Sequence, residues 1–237
     1  MAPRPLGRAL NVEPETEPGR AAAPTDRTRV RRIPERGDYD PAVVRAILDE
    51  ALIVHVAWVD DGAPRQIPTL HARVGHTLYV HGSRASRTMR ALRDGAEVCI
   101  TATIVDELVL ARSLFHHSMN YRSVVLYGRA REVTDREEFD AMSRALADHV
   151  APGRGAEARP PNEDEFRQTL ILAIPLDEAS AKIRTGPPKD DDADLGLPVW
   201  AGTLPLRLAT GEPEPDPTLA GGIDVPGYLT DYRRPTA

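Results

Sequence analysis

A single cysteine, Cys99, is the only thiol in the 237-residue chain. That excludes an internal disulfide and most cysteine-based metal sites. No apolar run approaches the roughly 20 residues that a membrane helix needs; the longest, Ala51 to Val59, is interrupted by His55. The first twenty residues lack the apolar core of a signal peptide, which leads us to expect a cytoplasmic protein. A basic excess is missing as well. With a formal net charge of −6 nothing pulls the chain as a whole toward nucleic acid or an anionic membrane, and neither partner is expected. Lysine is scarce, Lys182 and Lys189 being the only two, which beside the abundant Ala and Pro reads as coding bias. What is present, 41% hydrophobic residues, suffices for a real core in one large domain or a domain with tails.

Proline divides the chain. Six of the 22 prolines fall in residues 1–40 and nine in 186–237. Residues 1–28 mix Pro, Glu, Thr and Arg without apolar periodicity and read as a disordered or extended tail. Residues 187–237 cannot hold long helices or central strands. They nevertheless keep Leu195, Leu197, Val199, Trp200, Leu204, Leu206 and Leu208, which suggests an arm packed on the barrel or on a partner subunit.

Residues 29–186 carry mostly strand signals. Asp40-Pro41 opens a helix whose inner face is Val43, Val44, Ile47, Leu48 and Ala51. Ala51–Val59 reads as a buried strand, and turns at Asp60-Asp61-Gly62 and Gly75-His76 join it to Pro64–Val74 and Leu78–His81 as a meander. A helix over Ser86–Arg93 follows, then strands over Val98–Val105, Leu108–Leu114 and Ser123–Val133. An amphipathic helix spans Asp135–Val150, and Thr169–Pro175 and Ala179–Arg184 complete the set. Short strands joined by tight turns point to a small antiparallel barrel instead of a doubly wound parallel sheet. No G-x-G-x-x-G fingerprint occurs, which also weighs against a Rossmann fold.

Three stretches could carry chemistry. His71, His76 and His81 recur every five residues, but an odd spacing reverses the face of a strand, so no metal site is expected. His116-His117 point opposite ways on any regular element, leaving each a lone ligand, a base or a loop residue. His55 reads as a core histidine, and His149 as a complement to a helix C-terminus. In His81-Gly82-Ser83-Arg84-Ala85-Ser86-Arg87, a glycine, two hydroxyls and two guanidiniums meet where a strand passes into a helix. That composition suits a phosphate, and equally suits ordinary capping with solvated arginines. Asn120-Tyr121-Arg122-Ser123 opens an apolar strand with groups able to stack on a flat ring and bond its edge, or simply to cap the strand.

In their order these stretches resemble the pyridoxamine 5′-phosphate oxidase-like, flavin-binding split-barrel superfamily, most of all its nitroimidazole-resistance (Nim) reductase branch. The resemblance runs through Ile53–Ala57, Asp61–Pro64, Ile67–His71, Leu78–Ser83, Ser86-Arg87, Asn120–Val124 with Gly128, Lys182–Gly186 and Val199–Pro205, covering roughly residues 30–208. It implies a six-stranded antiparallel split β-barrel with a few peripheral helices, forming a homodimer that holds flavin mononucleotide (FMN) at its interface. By position, Pro68, Thr69 and Leu70 would line the cofactor, and Ser86 and Arg87 would hold its phosphate with His81 and Ser83. Tyr121, Arg122 and Ser123 would meet the flavin, and Trp200 would reach it late in the chain. His71 matches a histidine proposed to take part in reduction.

The late arginine-histidine substrate motif of the oxidase is absent beyond Trp200, so vitamin B6 oxidation is not expected. The function implied is an FMN-dependent oxidoreductase acting on a small molecule, with NAD(P)H as a candidate electron donor. A non-catalytic flavin binder is one alternative. A haem protein using His55, His71, His81, His116 or His117 as axial ligand is another. Deazaflavin is a further alternative cofactor.

Overall fold

The computed structural model describes residues 24–233. The segment expected as a tail lies outside the described residues up to position 23. The part that follows it is anchored: Arg27 bonds Glu97 and Glu178, and Thr28 is buried.

Ten strands and six helices are described. After β1 (Gly37–Asp38) comes α1 (Pro41–Glu50), with Asp40 accepting from the Ala42 amide and Pro41 in the first turn. Its apolar side, Val44, Ile47 and Leu48, is buried. β2 (Ile53–Asp60) and β3 (Ala63–Val74) are joined at Asp61 and Gly62, both with positive φ. That is the backbone a two-residue Asp-Gly hairpin requires. β4 (Thr77–Ser83) leads into α2 (Arg87–Arg93), and β5 (Glu97–Leu110) pairs with β6 (Ser118–Arg129) in a long hairpin. β7 (Arg131–Glu132) precedes α3 (Arg136–Val150), α4 (Arg154–Glu157) and α5 (Glu163–Gln168). β8 (Thr169–Pro175) and β9 (Glu178–Arg184) follow, then β10 (Gly202–Pro205) and α6 (Gly227–Thr230).

All pairings are antiparallel, in the order β1-β9-β6-β5-β2-β3-β4-β8-β7, with β10 on the outer half of β5. β3 makes the barrel: Ala63–Leu70 pair with β2, whereas His71–Val74 pair with β4. One strand thus belongs to two sheets. The sheets close on a core that includes Val54, Val56, Trp58, Ile100, Val124, Leu126, Leu172 and Ile174. Burying each such side chain stabilises the fold by roughly 1.5–3 kcal/mol. Phe139, Met142 and Leu146 of α3 pack a second cluster onto the outside of β4 and β8.

The antiparallel split barrel is as expected, but ten strands stand where six were implied: β1, β7 and β10 are short edge additions, and seven longer strands remain. The two strands expected over Val98–Val105 and Leu108–Leu114 are a single β5. Its register shifts between Val105 and Glu107, so the polar Asp106-Glu107 pair bends the strand without ending it. No helix among the described residues is long and apolar enough to cross a membrane.

Candidate functional site

Strand parity sorts the expected residues. In β2 the alternate residues Val54, Val56 and Trp58 enter the core, so Ile53, His55 and Ala57 face outward. Residues directly opposite on antiparallel strands share a face. His55 lies across from Pro68 and from Thr101, Thr101 from Val125, and Ile53 from Leu70. Farther along, Thr103 opposes Ser123, and Val105 opposes Tyr121. Pro68, Leu70, Tyr121 and Ser123 therefore stand on one outer face, together with His55 and exposed Ile53 and Val105. The Ser123 hydroxyl donates to the Lys182 carbonyl at 3.2 Å. Thr69 has the parity of inward Val54, and its hydroxyl is 3.3 Å from the Leu70 carbonyl.

Arg122 is turned away from that face. It has the parity of buried Val124 and Leu126, and its guanidinium is clamped between Glu50 at the end of α1 and Asp106 of β5. The ion pairs hold Arg122 charged, well above the usual arginine range. Arg122, implied by the resemblance to meet the flavin, thus braces α1 to the barrel in the protomer.

The turn after β4 is built by its own hydroxyls. Ser83 Oγ accepts from the Ala85 amide at 3.2 Å, and Ser86 caps α2 by accepting from Met89 N at 3.4 Å. Both hydroxyls keep an O–H to donate. Arg87 is exposed, with Nε 2.6 Å from Asp60 and Nη2 3.4 Å from Asp61. Gly82 is required by close approach, since a Cβ there would lie 2.8 Å from Met89 Cγ.

His71 is 0% exposed. Its Nε2 lies 2.8 Å from the Leu48 carbonyl, and its ring packs on His149 at 4.3 Å between centroids. His149 in turn lies 2.9 Å from the Ala51 carbonyl. Both histidines fasten α1 and α3 to β3, so His71 has no face toward a ligand in the protomer. His81 lines a cleft of about 340 Å³ between the sheet and α3, walled by Leu70, Phe139, Leu146 and Ile171. Its Nδ1 is buried without a partner, and burial pushes its pKa below the usual 6.5.

The β5–β6 hairpin ends in Leu114 and Phe115, 95% and 88% exposed. His116 is held by Asp191 at 3.3 Å. His117 Nδ1 lies 2.9 Å from the Ser113 carbonyl, which can only accept, so Nδ1 donates there and Nε2 is the ring nitrogen left for another partner. Trp200 is 67% exposed and lies against Gly202, where β10 joins β5.

His55, read from the sequence as a core histidine with haem ligation as an alternative, stands outward, as the alternation along β2 requires. Arg184, which lies opposite Tyr121 at the end of β9, falls in the matching stretch Lys182–Gly186 but was given no role from the sequence.

The pyridoxamine 5′-phosphate oxidase family matches residues 40–183. The flavocytochrome Anf3 from Azotobacter vinelandii is similar at 38% sequence identity and a TM-score of 0.83, covering 90% of this chain and 99% of that one. An FAD and heme binding protein from Mycobacterium smegmatis is similar at 34% identity and a TM-score of 0.79, covering 84% of this chain and 98% of that one. A candidate 5-nitroimidazole antibiotic resistance protein from Bacteroides thetaiotaomicron shares the fold, at 20% identity and a TM-score of 0.54, over 62% of this chain and 86% of that one. No curated protein matches the chain. With the match spanning most of the barrel, and with two relatives above 30% identity over nearly the whole chain, the protein belongs to the pyridoxamine 5′-phosphate oxidase family of split-barrel proteins.

Proposed function

We infer that the chain is a flavin-dependent redox protein that works as a homodimer, with the flavin held against the outer face of the barrel and a haem as second cofactor. The observation that carries this reading is the outer face itself. Pro68, Leu70, Tyr121 and Ser123 stand there beside exposed Ile53 and Val105, a platform with apolar, aromatic and hydroxyl groups that the protomer leaves partly uncovered. A flat heteroaromatic ring and the same face of a second copy would together cover it. The flavocytochrome and the FAD and heme binding protein support the choice of cofactors. FMN and FAD share the ring this face suits, and both remain candidates.

The residues present fit the group. β3 offers main chain along the platform, and the spare hydroxyl protons of Ser83 and Ser86 suit a phosphate. Arg87 would serve the phosphate by exchanging its hold on Asp61. A bound flavin supplies two-electron transfer between a donor such as NAD(P)H and a small acceptor. His55 is the imidazole on the platform and would move a proton there, a role that buried His71 cannot take in the protomer. Trp200 lies outside the barrel wall, where it would close the site of the partner subunit.

For haem, His117 has the arrangement a metal-ligating imidazole uses: one ring nitrogen fixed by a carbonyl, the other directed away. Leu114 and Phe115 beside it would pack on the porphyrin. His81, in its apolar cleft, is the second candidate ligand.

The test is the absorption spectrum of the purified protein before and after adding FMN, FAD and haemin, with His117→Ala and His81→Leu alongside. We expect a two-band flavin spectrum that survives gel filtration and a Soret band lost or shifted in His117→Ala. A colourless protein that takes up neither group would overturn the reading.

A further inference from the structure

Several half-buried arginines end on carboxylates: Arg73 on Asp49, Arg84 on Glu132, Arg112 on Asp190, and Arg122 on Glu50 and Asp106. Arg184 does not. It is the buried arginine of the described residues, only 6% exposed, and its one hydrogen bond is from Nη1 to the Asn120 side-chain oxygen. The Asn120 amide is itself spent on Glu107 and the Gly186 carbonyl, so Glu107 faces Asn120 instead of the guanidinium. The charged neighbour of Arg184 is another cation, Arg36, and burial together with Arg36 pushes Arg184 below the usual arginine range. Lys182 adds a third positive charge two residues back on the same face of β9. Neither Arg36 nor Lys182 forms an ion pair among the described residues.

A guanidinium cannot shed its proton at working pH. Burying one beside a like charge is strongly unfavourable unless an anion arrives from elsewhere. The donors for an anion are in place. Nε and Nη2 of Arg184 make no hydrogen bond and are not sealed off, in contrast to the enclosed Nε atoms of Arg84 and Arg112. Position narrows the anion further. Arg184 lies directly opposite Tyr121, one step along the face from the Ser123–Lys182 pair, at the margin of the platform. Asn120, which holds it, is three residues from His117, roughly 10 Å along an extended strand.

We propose that Arg184, with Arg36 and Lys182 beside it, forms an oxyanion site that receives the acidic group of the redox cofactor, either a flavin phosphate or a haem propionate. The proposal rests on the flavin and haem reading above for the identity of the ligand, though not for the existence of the anion site.

The experiment compares each acidic cofactor with its uncharged counterpart in the full-length protein, Arg184→Gln and Arg36→Gln. FMN and FAD are titrated against riboflavin by fluorescence, and haemin against its dimethyl ester by the Soret band. Charge-assisted bonds to a buried guanidinium predict at least roughly a tenfold loss of affinity for the acidic form and none for the neutral one. A loss confined to FMN and FAD identifies the phosphate, and a loss confined to haemin identifies the propionate. Equal affinities in wild type and both variants overturn the proposal, as does a variant that only loosens the dimer. Where Arg184→Gln fails to fold, Arg36→Gln carries the test, since Arg36 is half-buried and makes no ion pair. If the wild type takes neither cofactor, the functional reading fails, and inorganic pyrophosphate then decides the site. A rise in Tm with pyrophosphate that both variants lose supports the site, and no rise overturns it.

Discussion

Replacing Arg122 by methionine separates a brace from a ligand. The guanidinium spans Glu50 and Asp106, with Nη2 at 2.8 Å from Glu50 Oε1 and 2.7 Å from Asp106 Oδ1. Glu50 is the last residue of α1, where the negative end of the helix dipole disfavours a carboxylate, so the arginine offsets that cost as well. Methionine fills much of the space but removes the guanidinium that lies between the two carboxylates. Removing one partner of a fully buried pair costs about 3–5 kcal/mol. These side chains keep between 17% and 30% of their surface, and solvent screening reduces that cost to about 2 kcal/mol. For a domain of this size such a loss lowers Tm by about 4–8 °C. Thermal and urea unfolding of Arg122→Met should show the drop, and adding Glu50→Gln and Asp106→Asn should recover most of it. Flavin affinity should change little. A variant with unchanged Tm and a tenfold loss of flavin would refute the brace and return Arg122 to the cofactor.

Three further outcomes follow from the same geometry. His71→Ala should cost about 2–4 kcal/mol, as large-to-small changes at buried sites do, while retaining flavin; unchanged stability with lost turnover would show that His71 acts in the chemistry. His81 has its folded-state pKa lowered by burial, so below about 6.5 the unfolded chain holds a proton that the folded one refuses, and stability falls as pH drops. The urea midpoint should therefore fall between pH 7.5 and 5.5 by less in His81→Leu than in wild type, and equal falls would count against it. Leu114→Ser with Phe115→Ser should leave protomer stability within about 0.5 kcal/mol, as for other exposed positions, yet shift sedimentation toward monomer or weaken the Soret band. If neither property moves, the hairpin tip has no partner.

Much of the fold was legible because its signals are local. Asp40 before Pro41, the Asp61-Gly62 turn and the spacing of Phe139, Met142 and Leu146 each fix an element by the physics of a few neighbouring residues. β5 was not legible as one strand because Asp106-Glu107 looks like a turn. Here Asp106 is held from both sides, its side chain by Arg122 and its carbonyl by the Leu206 amide of the arm. The partners that keep the polar pair inside a strand come from β6 and from a segment a hundred residues away.

The site follows the same division, and parity explains where residue identity misled. Tyr121, Arg122 and Ser123 look alike as candidates for holding a flavin, but a strand sends its middle residue to the opposite face. The burial of Val124 and Leu126 already assigns Arg122 to the inside. His71 fails differently: β3 changes partners between Leu70 and His71, both His71 and Ala72 are buried, and alternation breaks at the point where the strand leaves one sheet for the other. Its partners, the Leu48 carbonyl and His149, lie on helices that nothing near His71 in the sequence announces. Arg184 combines the two cases. Its parity places it outward with Lys182, yet Asn120 and the N-terminal segment paired to β9 bury it, so the chain holds an arginine inside without providing the carboxylate that would balance it. A protein that gives Arg73, Arg84, Arg112 and Arg122 a carboxylate each leaves its most buried arginine open where an anion from outside the chain can reach it.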